Sequence, residues 1–247
     1  VGLSESIGRH LPACALADRR VRDKGQGWTD SQMVTALVML NLAGGEHVED
    51  LRGLEEDEGW CQVLRRVELD GLKRKERRAM ERRWRRKKRR TVPSPSAVFR
   101  YLAAFHEEGE KSQRQVGRAF IPRPNGHLAG WSHVNKDLVG FLQSKRSEKT
   151  ATLDMDATLA QTHKAGALYC YEHYKAYQPL NTYWAEQGVV LHTEFRDGNV
   201  PAGYEQLRVL KQALEQLPEG VEKIRLRSDT AGYQHDLLRY CEGGEND

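Results

Sequence analysis

The sequence predicts an α+β (α/β) chain: an all-helical N-terminal region, then a mixed sheet with flanking helices. Two observations carry this. Before about residue 150 apolar residues recur at helical spacing; after it short stretches alternate apolar and polar, the period of a half-buried strand. From residue 150 the segments run strand, strand, strand, helix, strand, helix.

The first 66 residues read as helices. Thr29 or Asp30 has an oxygen placed to accept from the free N–H groups of a helix start. Behind them MVTALVMLNLA (33 to 43) is apolar nearly all round, so that helix is buried, and Gly44 and Gly45 end it. Two shorter helices are expected at 46–56 and 58–67. The stretch from 73 to 90 reads KRKERRAMERRWRRKKRR. As a helix it is cationic on every side, with only Met80 and Trp84 to bury; as free chain it repels itself and extends. TVPSPS (91 to 96) punctuates, because each proline drives its predecessor out of the helical region. Ser96 is then expected to cap a helix over 97–108 whose apolar face is Val98, Tyr101, Leu102 and Phe105. A loop rich in Arg, Pro and Gly (114 to 130) leads to a helix at 132–144.

ATLDMDATLA opens the second half, with Thr152, Asp154 and Asp156 on one face of a strand and Leu153 and Met155 on the other. Residues 175–186 and 189–199 read as strands joined by a turn at Gly188. Leu207, Leu210, Leu214 and Leu217 form one helix face, stopped by Pro218 and Gly220. VEKIRLRSD (221 to 229) is a strand that delivers Asp229 at its end, and another helix begins at 233–240.

The charge is segregated. The 247 residues carry a net +4, yet thirteen Lys/Arg against Glu76 and Glu81 give +11 between residues 73 and 90, which leaves −7 for the rest. Such a density exceeds an ordinary solvated face and matches an element that displaces counterions from phosphates. Arg82, Arg83, Arg85, Arg86, Lys87, Lys88, Arg89 and Arg90 are its densest part. Contacts of that kind position DNA without reading its sequence. Trp84 is placed either to stack on a base or to anchor the segment to the protein. A helix-turn-helix among the helices at 29–66 and 96–108 is a hypothesis only, with no identifiable recognition helix. No 18-residue apolar run exists, so no membrane span is expected. Cys14, Cys61, Cys170 and Cys241 form no C-x-x-C, and Cys170 with His173 lacks the partners a tetrahedral zinc site needs. A reducing cytoplasm is the default.

Two acids stand at strand ends, the Asp154/Asp156 pair and Asp229. Carboxylates at the ends of adjacent strands repel each other, and a hard cation such as Mg²⁺ relieves that repulsion. Singly, such residues are more often turn or cap residues. D-x-D-x-T has a second meaning, the nucleophile motif of haloacid-dehalogenase-type phosphatases. Those usually carry Gly where Ala157 stands, and they continue into a parallel sheet with crossover helices.

LDMDAT (153 to 158), GALYCYEHYKAYQPLNTYWAEQG (166 to 188), LHTEFRDGNVPAG (191 to 203) and LRSDTAGYQHDLLRY (226 to 240) together resemble the DDE transposases of bacterial insertion sequences, most nearly the IS-thirteen-eighty type. The resemblance implies an RNase H-like fold, a mobile element's DNA transposition by phosphodiester cleavage and strand transfer, and two Mg²⁺ ions, with Mn²⁺ as the alternative. It also implies double-stranded DNA (transposon ends and target) as partner, self-association on that DNA, and a cytoplasmic, nucleoid-associated setting in bacteria. Asp229 matches the second acid of the triad. Asp156 or Asp154 matches the first, with Asp156 preferred because an Asp two residues before a Thr is the commoner form. The two share a face, so geometry does not choose between them. Arg196, Gly198 and Asn199 match the turn after the third strand; a positional role is expected, and a DNA contact for Arg196 is the weaker alternative. Tyr177 and Pro179 match the second strand, as core residues.

The family's third acid, a Glu on a later helix, has no match here; Glu242 and Glu245 have no helix to hold them and are not assigned. The expectation is an N-terminal fragment, inactive alone: a helical region at 1–69, possibly DNA-binding; a basic linker at 70–95; a helical region at 96–148; and a truncated, incomplete RNase H-like core at 149–247. Two further readings remain, a non-catalytic DNA-binding remnant and a resolvase-like nuclease.

Overall fold

The computed structural model describes Val21 and residues 27–87, 90–115 and 117–243. Cys14, Lys88, Arg89 and Glu245 lie outside the described residues, as do the side chains of Arg83, Arg85, Arg86 and Lys87. The chain divides into two units, Val1–His106 with Asn125–Gly130, and Glu107–Pro124 with Trp131–Asp247.

In the first unit, helix α1 (Asp30–Leu42) starts at Thr29. The Thr29 hydroxyl accepts from the Gln32 amide at 3.2 Å, and the Gln32 side chain accepts from the Thr29 amide at 2.9 Å. This reciprocal pair satisfies two otherwise orphaned donors. Met33, Val34, Ala36, Met39 and Leu40 are buried around the helix, as an all-round apolar pattern requires. Gly44, at φ +78°, turns the chain out of it. Helices α2 (Leu51–Glu56) and α3 (Glu58–Leu69) follow, the latter capped by Asp57, which accepts from the Trp60 amide at 3.0 Å.

The basic run folds as helix α4 (Arg74–Lys87). Met80 and Trp84, one turn apart, are half-buried, while Lys73, Arg74, Lys75, Arg77, Arg78 and Arg82 are exposed. The Arg65 guanidinium of α3 lies over the Trp84 ring at 5.9 Å, so this tryptophan is engaged with the protein. Glu55 then accepts from the amides of Thr91 (3.0 Å) and Val92 (2.7 Å) and fixes the chain after the helix. Helix α5 (Pro95–Leu102) is capped by Ser94, not by the expected Ser96. Pro95 explains the shift: its fixed φ suits the first helical position, where a missing N–H costs nothing. Val98 and Tyr101 are buried as expected, but Leu102 is exposed, because the helix tightens into a 3-10 turn from Ala103 and its face rotates.

The second unit contains the short helix α6 (Glu108–Lys111) and most of α7 (Gly126–Lys145), which starts earlier than expected. Asn125 supplies the start, accepting from the amides of His127 and Leu128 at 3.1 and 3.0 Å. The main sheet has strand order β6-β5-β1-β7, with β1 (Thr150–Ala157), β5 (Leu180–Trp184), β6 (Val189–Glu194) and β7 (Lys223–Ser228). β1 runs antiparallel to β5 and parallel to β7, so the sheet is mixed. A second sheet, β2-β4-β3, joins β2 (Ala160–Gln161), β3 (Leu168–Tyr169) and β4 (Lys175–Tyr177). The strand expected over 175–186 is therefore two strands in two sheets. Pro179, which cannot donate to a ladder, stands at the break.

Ala151, Leu153 and Met155 of β1 form one core with Leu180, Trp184, Leu191 and Leu237. Helix α8 (Gln206–Leu214) contributes Val209, Leu210 and Ala213. Leu207, Leu214 and Leu217 only flank this core, since the helix ends at Leu214 and Leu217 falls outside its periodicity. Helix α9 (His235–Gly243) runs further than expected and contains the exposed Glu242, because no breaker precedes Gly243. Among the described residues, no helix is long and apolar enough to cross a membrane.

His192 of β6 sits opposite Thr182 and is held below the ordinary histidine range, chiefly by burial. The folded chain therefore binds fewer protons than the unfolded chain as pH falls through the ordinary histidine value of about 6.5. Stability is expected to fall with pH in that window. Denaturation curves at pH 7.5 and 5.5 check this, and His192→Gln should flatten the dependence.

Candidate functional site

The alternation of β1 puts Thr152, Asp154 and Asp156 on one face, and each meets a different fate. Thr152 is buried; its amide and hydroxyl donate to Glu186 at 2.7 and 2.5 Å. Asp154 stands opposite Arg227 of β7 and receives both Nε and Nη2 of its guanidinium, the latter at 2.6 Å. The carboxylate in turn holds the Arg227 guanidinium above its ordinary range. Asp156 is exposed and has no hydrogen bond or ion pair among the described residues.

The parallel pairing of β1 with β7 ends at Met155 opposite Ser228. The next residue on each strand is a carboxylate, Asp156 and Asp229. Each acid directly follows the last paired residue of its strand, Asp156 still within β1 and Asp229 just beyond β7. Asp229 keeps extended geometry (φ −72°, ψ −169°) while its Oδ1 accepts from the Ala231 amide at 3.0 Å. That bond leaves Oδ2 for another partner. Gly232 is required in this turn, since a side chain there would collide with Ser228.

On the other side of β1 the register pairs Asp156 with Asn181 of β5, and Asn181 with Thr193 of β6. The Thr193 hydroxyl donates to Asn181 Oδ1 at 2.6 Å. A polar row thus crosses three strands of the sheet, Thr193–Asn181–Asp156. Neither Asn181 nor Thr193 was anticipated from the sequence; the alternation in LNTYW and VVLHTE places them outward, but only the register reveals their neighbours.

Arg196, Gly198 and Asn199 are brought together elsewhere. Arg196 is fully buried, with Nη2 on Glu194 Oε1 at 2.9 Å. Arg208 closes on the other Glu194 oxygen at 2.7 Å and on Glu205 at 2.7 Å. Burial lowers the Arg196 pKa from its ordinary range, against the pull of Glu194. The guanidinium is thus enclosed by its own ion pairs. A Cβ on Gly198 would lie 2.6 Å from the Ala176 carbonyl oxygen, so only glycine fits. Asn199 donates to the Arg118 carbonyl at 3.1 Å, and buried Asp197 takes Arg114 at 2.8 Å. Tyr177 stacks on Phe195 with ring centres 4.8 Å apart.

Among the described residues, no group of three or more His, Cys, Asp or Glu is placed to hold a metal ion, so Cys170 and His173 gain no partners. The pair Asp156 and Asp229 supplies hard oxygen donors, the type that suits a divalent cation.

A family model described as Transposase DDE domain group 1 matches residues 6–247. No curated protein and no solved structure matches. With that match, and with β5 antiparallel beside β1, the phosphatase reading of D-x-D-x-T gives way.

Replacing Arg196 by Ala leaves Glu194 buried with half of its cationic shell. A destabilisation of about 3–5 kcal/mol is expected, the usual cost of breaking a buried pair on one side. Urea denaturation of the variant checks it.

Proposed function

Because the chain belongs to the transposase DDE domain group 1 family, we propose that it is a DNA transposase of the IS-thirteen-eighty type whose Asp156 and Asp229 are the first two acids of the catalytic set. In this reading residues 149–247 form an RNase H-like core, and residues 1–69, the basic segment 70–95 and the helices of 96–148 serve DNA binding. The observation that supports it is the parallel register of β1 and β7, whose last pair, Met155 opposite Ser228, directly precedes Asp156 and Asp229. Asp154 is the less suitable first acid, since its charge is already met by Arg227.

DDE transposases generally use divalent metal ions. Asp156 and Asp229 would hold Mg²⁺, or Mn²⁺ in its place. When bound, a pair of such ions activates a water or 3′-hydroxyl and steadies the leaving oxygen of a phosphodiester. The chain's own contributions are positional. Thr152 is locked by Glu186 at the rear of the face, which fixes the strand on which Asp156 projects. The turn held by Ala231 and Gly232 orients Asp229. No residue of this chain is assigned as the third acid; Glu242, though on α9, is exposed on that helix and nothing brings it to the pair. The partner is double-stranded DNA in the bacterial cytoplasm, with self-association on it.

An excision assay with the gene that encodes this chain tests the reading. Asp156→Asn and Asp229→Asn should each lower excision by more than about a hundredfold, beyond the usual effect of a merely supporting residue. Asp154→Asn should stay within about tenfold of wild type, as removal of an exposed ion pair permits. Abolished excision with Asp154→Asn and unchanged excision with Asp156→Asn overturns the assignment.

The basic helix makes a separate prediction. Changing Arg82, Arg83, Arg85 and Arg86 to Gln should reduce the steepness of log affinity against log salt by about 3.6, roughly 0.9 for each phosphate no longer neutralised. Fluorescence anisotropy with a DNA duplex between 50 and 200 mM salt measures it.

A further inference from the structure

We propose that Asn181, set by Thr193, is a positioning residue that holds the Asp156 carboxylate in the orientation that receives a divalent cation. This rests on the reading of Asp156 and Asp229 given above and adds two residues to it.

The register carries the argument. Asn181 is the cross-strand partner of Asp156 in the antiparallel pair β1–β5, and Thr193 is the partner of Asn181 in β5–β6. Side chains so paired stand about 5 Å apart at Cβ and project from one face. Asn181 is therefore flanked by a hydroxyl on one side and a carboxylate on the other. Its amide has one acceptor end and one donor end. A carboxylate only accepts, so the donor end belongs on the Asp156 side. The hydroxyl must then donate to the acceptor end, and it does: Thr193 Oγ1 meets Asn181 Oδ1 at 2.6 Å. In this arrangement the carbonyl is committed to β6 and the NH₂ group is left toward β1. Asp156 has no hydrogen-bond or ion-pair partner among the described residues, so nothing competes with Asn181 for it.

Turned onto one carboxylate oxygen of Asp156, that N–H would fix the rotamer and leave the second oxygen for a cation. Partners of this kind hold ligating carboxylates in place, and removing them typically weakens metal affinity tenfold or more. Asn181 touches neither metal nor substrate in this scheme. Thr193 acts one step further out, by preventing the amide from turning over.

Mn²⁺ binding to the whole chain, read from the free Mn²⁺ signal by electron paramagnetic resonance, tests this without requiring catalysis. Asn181→Ala and Thr193→Val should each weaken binding, by about tenfold for Asn181→Ala. Thr193→Ser, which keeps the hydroxyl, should bind as wild type. In an Asp156→Asn background, Asn181→Ala should change nothing further, because the carboxylate it positions is gone. Thr193 is exposed and Val matches its shape, so the Thr193 pair remains informative even where Asn181→Ala folds poorly. Binding abolished in Asp156→Asn but intact in Asn181→Ala and Thr193→Val overturns the inference and leaves the acid assignment standing. Intact binding in Asp156→Asn overturns the acid assignment and this inference with it.

Discussion

The parallel pairing of β1 with β7 is the constraint on which the second unit depends. It joins Thr150–Met155 to Lys223–Ser228, residues separated by more than seventy positions. Parallel neighbours cannot be joined by a tight turn; they need a crossover. The intervening chain supplies it through β5, β6 and α8, and α8 buries Val209, Leu210 and Ala213 with Leu153 and Met155 in the shared core. The apolar face of β1 fixes the register, because a one-residue slip would turn Leu153 and Met155 to solvent and Asp154 into the core. The polar face inherits whatever that register dictates. Asp154 meets Arg227 because the core demands it.

The two aspartates of β1 illustrate how neighbours decide the use of chemically identical groups. Both point the same way, two residues apart, and alternation alone cannot separate them. Arg227 separates them. Its guanidinium is shaped for two-point recognition of a carboxylate, and Asp154 receives it from the facing strand position. Asp156, two residues further along, has passed the end of the β1–β7 ladder and has no cationic partner among the described residues. The first aspartate is thus spent on the sheet, and the second stays exposed.

Much of this was legible in the sequence, and the failures share a cause. Thr29, the buried helix after it, the change of texture at residue 150 and Asp229 at the end of a strand all follow from local periodicity and capping chemistry. What needed the fold was pairing between distant segments. Arg196 is matched to the family's turn, with a positional role expected, but only the fold shows Glu194 and Arg208 beside it. The break at Pro179 was visible as a proline but not as a change of sheet. Asn181 and Thr193 are ordinary strand residues until β1, β5 and β6 are laid side by side. The shift from Ser96 to Ser94 is of a different kind: two good caps compete, and Pro95 between them decides.

The segregation of charge along the chain has a physical logic that the net +4 conceals. A site made of carboxylates repels the polyanion it must approach, and neutralising it with nearby lysines would tie up the very oxygens a cation needs. The sequence separates the two demands. Asp154 is screened by Arg227, Glu194 by Arg196 and Arg208, and Asp197 by Arg114, so the second unit meets three of its acidic charges internally. Exposed cations are concentrated on α4 and the residue before it, where Lys73, Arg74, Lys75, Arg77, Arg78 and Arg82 remain exposed. Forming a helix there costs repulsion among like charges one turn apart. Met80 and Trp84, with Arg65 over the Trp84 ring, supply the offsetting contact that anchors that helix in the first unit. A free basic tail would attract DNA as strongly, but it would spend its affinity on ordering itself; a preformed cationic helix does not.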